Sequence, residues 1–450
     1  MFRKPITILF LLVIILVPLG WIYIVKYESE VPKISLNPDT SYLGKSSHLT
    51  LSVEDQKSGI RKVEVKLRQG AKEATVLEKS FPMKSWLSGG EVRKEQVPLV
   101  IEPDNLGIGN GKATLTCSVW DYSLREWFHG SRNILQKEVT IDTVPPVVSV
   151  ISNTRYLNEG GAGVVCFTAT EKIAQDGVQV GEILCPGVPM DETRNLYLSY
   201  FFVPRDSKDL TFPVVVKDLA GNEGKSTFFY RIKKKKFRHD RITLSDSFLE
   251  LIAPRFLQND PGLGSDPLAV FLKVNEEMRK KNNERIREIC RNSSSEQLWK
   301  GPFIPLPNGE ARANFGDERT FLYNGKEVSE AVHLGLDLAS LANSPIPAGN
   351  DGIVVFADYL GIYGNAVILD HGQGIFSLYG HMSMIKVKKG DRVEKGQALG
   401  NTGFTGLAVG DHLHFGMYVW GEAVNPLEWL DPNWVKKKVE IVLEAAANLK

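Results

Sequence analysis

Apolar and polar positions change period three times along the chain. Ile6 to Val25 is a run of 20 residues without a charge. As a helix it is long enough for the ~30 Å hydrocarbon core of a bilayer. From about residue 31 to 236 the pattern alternates, as in HLTLSVED, KVEVKLRQ, KATLTCSVWD and KEVTIDTVPP, with Gly, Pro, Asn and Asp between the runs. Short period-2 strands with such turns predict antiparallel sandwiches. Residues 244–299 shift to a helical period, with Leu268, Phe271, Leu272, Val274, Ile286 and Ile289 on one stripe. Asp266 followed by Pro267 predicts an N-cap and first turn there. From Trp299 to about Pro432 the chain returns to strands: 352–357, 365–372, 375–383 and 412–420, joined by glycine turns.

The elements predict a mainly β chain. It reads as a cytoplasmic tip and transmembrane anchor (1–30), two immunoglobulin-like β-sandwiches (31–143 and 144–236) and a helical connector (237–298). A small antiparallel β domain (299–432) and a helical C-terminal tail (433–450) follow. The two sandwiches look like a repeat: VPPVVSVIS echoes VPKISLNP, and 212–232 echoes 113–134. A spacer and docking surface is the plain reading of them; direct glycan binding is the other. KKKKFRHDR (233–241) reads as a solvated connector, with contact to anionic polymer or lipid as the alternative.

Arg3 and Lys4 precede the apolar run, so the excess positive charge favours an N-in orientation with the rest of the chain outside the cytoplasm. Trp21 and Tyr23 suit an interfacial belt. A cleaved signal peptide is the rival, but the run exceeds the usual ~7–15 residues and no A-x-A-like site follows. The expected address is the inner membrane, single-pass, with the C-terminal domains periplasmic. Lys and Arg total 54 against 53 Asp and Glu, a net charge of +1, which speaks against nucleic acid as a partner. No C-x-x-C occurs among the 4 cysteines. Cys166 and Cys185 could pair in an exported domain, or stay buried as thiols.

Two of the 8 histidines stand one residue apart in GDHLHFG. On a pleated strand His412, His414, Gly416, Tyr418 and Trp420 share one face, and Leu413, Phe415, Met417 and Val419 share the other. The apolar side is expected to meet the core, with the imidazoles together on a face left to bind something. They are either a satisfied core pair or half of a metal site. His333 and Asp337 lie four apart in VHLGLDLA, about 13 Å along a straight strand. Both can reach one ion only if the chain bends, and Gly335 permits a bend. His333, Asp337 and His414 then make a three-ligand site with one open position, the pattern of catalytic zinc. No H-E-x-x-H is present, which excludes a glutamate base on a zincin helix.

The order H-x-G-x-D, Y-G-H, H-x-H, carried here by His333-Leu-Gly335-Leu-Asp337, Tyr379-Gly380-His381 and His412-Leu-His414, resembles the lysostaphin/LytM-type zinc endopeptidases of bacterial cell walls (peptidase family M23). NFG (314–316), PIPAGNDGIVVFA (345–357) and VKKGDRVEKGQALGNTGFTG (387–406) fit as well. The resemblance covers about 130 residues. It implies zinc ligands at His333, Asp337 and His414 and catalytic histidines at His381 and His412. It also implies an enzyme that cuts peptidoglycan cross-bridges or stem peptides, which the N-terminal run would anchor in the membrane. Zinc would bring the pKa of its water towards ~7, and the two catalytic histidines would take the proton and stabilise the oxyanion. His371 is expected at a hairpin turn; His48, His129 and His239 fall outside the domain.

Some relatives have lost these residues and only activate other hydrolases, so a non-catalytic binding or activator protein is the alternative. Two other folds fail. A lipoyl- or biotinyl-type carrier matches VKKGDRVEKGQALG but leaves the histidines unexplained. A cupin uses H-x-H but needs a glutamate about four or five residues on, and the next here is Glu422. Protein partners and the scissile bond are not legible.

Overall fold

The computed structural model describes residues 3–26, 30–85, 88–206 and 210–448. Arg3–Lys26 is helical and carries the uncharged run, with Pro18 inside it. Several of its side chains lie outside the described residues, as do residues 27–29 of the expected anchor. Among the described residues no helix is long and apolar enough to cross a membrane.

The chain divides into two compact units. The first, Met1–Pro146 with Lys217–Glu223, is a two-sheet β structure. Three strands, Lys33–Asn37, Ser47–Glu54 and Lys94–Ile101, form one sheet; five form the other, with Gly111–Asp121 between Arg132–Ile141 and Ile60–Gln69. The period-2 pattern explains the packing. Leu49, Leu51 and Val53 of one sheet and Val63, Val65 and Leu67 of the other fill a common core, while their alternating neighbours stay at the surface.

The second unit is Val147–Val216 with Gly224–Lys450. Its sandwich pairs Ala162–Ala169 between Val148–Asn153 and Leu196–Phe202, and packs that sheet on one containing Ile173–Val180. Cys166 and Cys185 are both free and buried, as are Cys117 and Cys290. Burial pushes their thiols up, Cys166 to about 11 and Cys185 to about 12. The sandwich shares its core with the C-terminal domain. Tyr200 lies against Trp299 and Trp429 at ring distances of 6.4 and 6.2 Å. The C-terminal helices, Pro432–Trp434 through Ile441–Ala447, close the same seam, where Ser152 Oγ donates to Val442 O and Thr154 Oγ1 to Lys438 O.

The lysine run is an exposed connector between two short strands, with Lys233, Lys234, Lys236 and Arg238 at the surface. Arg231–Lys233 pairs with Tyr156–Asn158, and His239–Thr243 pairs with Glu318–Tyr323, both parallel. Between them Phe237 lies under the Arg205 guanidinium, 4.4 Å from its ring centre.

The C-terminal sheet runs Glu310–Ala313, Leu336–Ala339, Leu413–Val419, Ile375–Met382, Asn365–Asp370, Gly352–Tyr359, Arg392–Val393. Every residue of Leu413–Val419 is buried. The expected alternation holds, but both faces are cores. Leu413, Phe415, Met417 and Val419 pack towards the sandwich seam. Tyr418, with Phe376 and Leu378 of the neighbouring strand, packs under helices. Those helices come from the segment before the domain. Asp246–Leu257 is capped by Ser245 and Pro267–Lys273 by Asp266, whose side chain accepts from Ala269 N. One π turn, Val274–Met278, leads into Arg279–Ile289. Ile252, Phe256, Val270, Val274 and Ile286 cover the sheet. The face expected to be open is therefore roofed, except at one end where His414 lies.

Candidate active site

At that end three adjacent strands bring functional groups into one row. Asp337 is registered against His414, and His414 against Gly380. Register partners share a face, so Asp337 and His414 stand side by side while Leu336, Leu338, Leu413 and Phe415 point to the opposite core. Gly380 leaves the third place in the row empty of side chain.

His333 comes from a different sheet. Lys326–Val332 pairs with Glu318–Tyr323, and after residues 333–335 the chain enters Leu336–Ala339 of the main sheet. The kink that brings His333 and Asp337 together is this change of sheet. Gly335 is needed for space, not for an unusual backbone angle. A Cβ there would lie 2.5 Å from His414 Cε1 and Nε2 and 2.9 Å from Phe415 O. The NFG stretch grips the turn. His333 N donates to Asp317 O, Gly316 N donates to His333 O, and His333 Nδ1 is 2.9 Å from Asn314 O.

The three side chains converge. His333 Nε2 is 3.0 Å from Asp337 Oδ1 and 3.1 Å from His414 Nδ1, and His414 Nδ1 is 2.9 Å from the same Oδ1. The Asn314 carbonyl fixes the proton of His333 on Nδ1, so Nε2 presents a lone pair to a carboxylate oxygen. Such a donor set calls for a cation at its centre. A tetrahedral zinc with bonds of ~2.0–2.1 Å separates its ligands by roughly 3.3 Å, close to the spacing here. His333, Asp337 and His414 could hold a metal ion. Burial pushes the Asp337 carboxyl up, but the His333, His412 and His414 contacts outweigh it and hold the group well below the carboxylate range. Burial also lowers His414 to about 4.

His381 reaches the site by an irregularity. Strict alternation would put it beside Tyr379, in the core on the far face. Between Tyr379 and Met382 the strand carries an extra residue relative to its neighbour, Asn365–Asp370, and His381 has φ 62°. The bulge sends Met382 to the core and turns His381 to the cleft. Its ring centre is 4.8 Å from that of His412 and 5.8 Å from that of His414. Burial, with His412 and His414 adding to it, lowers His381 to about 3. His412 precedes the strand proper, bridged to Gly403, with Nε2 3.6 Å from Asp337 Oδ1. Burial disfavours its charged form, but Asp337 reverses that and raises it. Each has a backbone carbonyl on Nδ1: Thr405 O at 2.8 Å for His381, Gly410 O at 2.8 Å for His412. Both rings therefore have Nε2 left for chemistry. The three carbonyl orienters, at Asn314, Thr405 and Gly410, leave no side-chain signal in the sequence.

His371 does not belong to the site; it opens the hairpin turn between Asn365–Asp370 and Ile375–Met382, as expected. It is fully buried against Phe303, with Nδ1 on Asp351 O (2.7 Å) and Nε2 on Ser377 Oγ (2.6 Å). His48 and His239 lie on strands elsewhere, and His129 ends a short helix.

A cleft of about 610 Å³ opens over the histidines. Its other wall comes from the helical segment, through Phe248, Ile252, Phe271 and Arg279, and from Phe321. Arg255 ties this wall to the loop before His412 by donating to Ala408 O at 2.8 Å.

The description "Peptidase family M23" matches residues 331–426, a stretch holding all five of these residues. Residues 331–426 are a peptidase family M23 domain. The M23 domain is 38% identical over 96 residues to the DD-carboxypeptidase/endopeptidase Mpg of Neisseria meningitidis serogroup B, covering 21% of this chain and 22% of that protein. It is 39% identical over 98 residues to the peptidoglycan DD-endopeptidase ShyA of Vibrio cholerae serotype O1, covering 22% and 23%. The matches thus span less than a quarter of these relatives' own length. The solved catalytic domain of lysostaphin from Staphylococcus simulans is 29% identical, covering 28% of this chain and 94% of that one, at a TM-score of 0.24. The cleft's helical wall lies before the M23 match.

Proposed function

We propose that the chain is a zinc metalloendopeptidase that hydrolyses peptide bonds of peptidoglycan, in the cross-bridge or the stem. The observation that carries the reading is the convergence of His333, Asp337 and His414 to about 3 Å from one another, with His381 and His412 beside them in a cleft. The two relatives with peptidoglycan or DD-peptide activities in their names support the substrate class.

His333, Asp337 and His414 would hold the metal. A bound zinc ion would supply Lewis acidity towards water and a peptide carbonyl. The chain's own groups do the rest. Asn314 O orients His333, so its Nε2 is turned to Asp337 and His414 and would be free to hold the metal with them. His381 and His412, each fixed in one tautomer through Nδ1, offer two Nε2 atoms to the substrate. One neutral imidazole accepts the proton of the attacking water and returns it to the leaving amine. The other, charged and so carrying a proton on Nε2 as well, donates from there to the oxyanion of the tetrahedral intermediate; Asp337 favours that charged form at His412. Phe248, Phe271 and Phe321 line the cleft with apolar surface, which strengthens these interactions by thinning the water around them.

The address belongs to the same proposal. The helix Arg3–Lys26, with its uncharged run from Ile6 to Val25 and positive residues at its start, would hold the chain in the cytoplasmic membrane, and the two sandwiches would space the M23 domain towards the wall. Extraction by detergent but not by alkaline carbonate, and digestion of the C-terminal part by protease added to spheroplasts, are the expected results. Release by carbonate would sink the anchor.

The activity test is direct. Purified chain is incubated with peptidoglycan, with and without chelator, beside His414→Ala, and the released fragments are weighed by mass spectrometry. Chelator-sensitive release, absent in the variant, is expected. No release by folded, zinc-loaded protein would leave a non-catalytic binding or activator role.

A further inference from the structure

Four arginines line the cleft: Arg238, Arg279, Arg312 and Arg319. Two are occupied. Arg238 pairs with Asp240 at 2.6 Å and Arg312 with Glu310 at 2.8 Å. The other two are not neutralised in the same way. The carboxylate nearest Arg319 is Asp337, at 3.7 Å, and Asp337 is already committed to the histidines. Among the described residues Arg279 has no carboxylate within ion-pair distance; its contacts are with Asn275, Nε to the carbonyl at 3.1 Å and one terminal nitrogen to Oδ1 at 2.7 Å.

Asn275 is itself held, donating to Ser329 Oγ at 2.9 Å and to Glu330 O at 3.1 Å. One edge of the Arg279 guanidinium is therefore clamped, and the rest of the fork is left for another partner. Burial disfavours the charge of the Arg279 guanidinium, and the nearby Arg319 adds to this. Two guanidinium groups kept together in a partly apolar cleft, without a matching anion, are stabilised when an anion arrives. Planar forks match a carboxylate in a bidentate way.

We propose that Arg279 and Arg319 seat a free carboxylate of the substrate, borne on the residue whose amine leaves. The proposal rests on the peptidase reading above and specifies its substrate. A carboxylate on the carbon next to the scissile nitrogen is only two bonds from that nitrogen. Arg319, 3.7 Å from Asp337, is placed for such a short reach. A terminal residue released from a peptide has this carboxylate, and so does a diamino-acid centre whose amine takes part in a cross-link. One seat would thus serve carboxypeptidase and endopeptidase substrates alike, and would reject the same bond when the carboxylate is an amide. Arg279 and Arg319 lie outside the segment that matches the family, so this selectivity belongs to the surrounding chain.

The experiment uses the full zinc-loaded chain and a pair of synthetic peptides ending in D-alanyl-D-alanine, one the free acid and one the carboxamide. The wild type is expected to cleave the acid at least about tenfold faster by kcat/KM, and Arg279→Gln to bring that ratio towards one. Equal rates in the wild type overturn the proposal without any variant. Preservation of the ratio in Arg279→Gln that melts as a folded protein overturns it too. If neither peptide is cleaved, the peptidase reading fails for these bonds and binding decides the seat separately. Calorimetry must then find the acid at least about tenfold tighter than the amide in the wild type and not in Arg279→Gln; equal affinities end the proposal.

Discussion

Asp337 and His414 are register partners on adjacent antiparallel strands, and Oδ1 of one lies 2.9 Å from Nδ1 of the other. The sheet itself holds half of the candidate metal site, because a register pair on one face cannot separate without breaking the ladder. The third group, His333, is held by a turn between two sheets. The site should therefore lose metal by degrees when its members are removed, not unfold. His414→Ala and Asp337→Asn are each expected to lower zinc affinity by roughly 100-fold or more, more than loss of an outer orienting group. Zinc content after dialysis, with a melting curve alongside, checks this. A variant that retains stoichiometric zinc would remove that residue from the ligand set.

Gly335 gives a sharper test. Its Cβ position is filled by the His414 ring and by Phe415 O. Gly335→Ala must push the imidazole away from Asp337 or bend a core strand. Overpacking of this kind costs about 1–3 kcal/mol. The expected result is a lower Tm together with weakened zinc binding. A normal Tm with normal zinc would mean that the ring has another resting place.

Much of the three-residue cluster was legible because its spacing was informative. H-x-G-x-D requires a bend, and H-L-H on a strand puts both rings on one side. The role of Gly335 was legible as a position but not as physics, since the clash that demands it comes from a strand some 80 residues away in sequence (His414). The placement of His381 was not legible at all by periodicity. A bulge changes which face a side chain takes while leaving the apolar pattern intact. The helical segment shows the same limit. Its stripe of Val270, Val274 and Ile286 announces a packing face but not what that face covers. Reading it as a connector missed that it walls the cleft and brings Arg279 into it.

His381 and His412 should separate from the ligands kinetically. Neither belongs to the three-atom cluster, and each is steered by a backbone carbonyl. His381→Ala and His412→Ala are expected to keep zinc and lower kcat by about 10²–10⁴-fold with KM little changed, as for loss of a general acid or base. Single-turnover cleavage of a peptide substrate with metal analysis of the same samples gives both readings. Loss of zinc in His412→Ala would make it a ligand instead.

The seam between the second sandwich and the M23 domain has its own titration. Glu428 is buried; its Oε1 accepts from Asn158 Nδ2 at 2.6 Å and its Oε2 from Ala162 N at 2.9 Å. Burial outweighs these bonds and raises the carboxyl to about 7. With the folded value above the ordinary 4.5, the folded state holds the proton more tightly than the unfolded one between these values. Stability is then fully present below about pH 4.5 and declines as pH rises towards 7, by roughly 3 kcal/mol at most for this group. Other groups add their own slopes, so the difference between two proteins isolates this one. Glu428→Gln cannot ionise and puts an amide against a backbone donor. It should be less stable than the wild type near pH 5, with the gap narrowing as pH rises to 8. Melting curves of both proteins across that range check the sign. A gap that widens with pH would show that Glu428 is ionised in the folded chain, with its hydrogen bonds stronger than its burial.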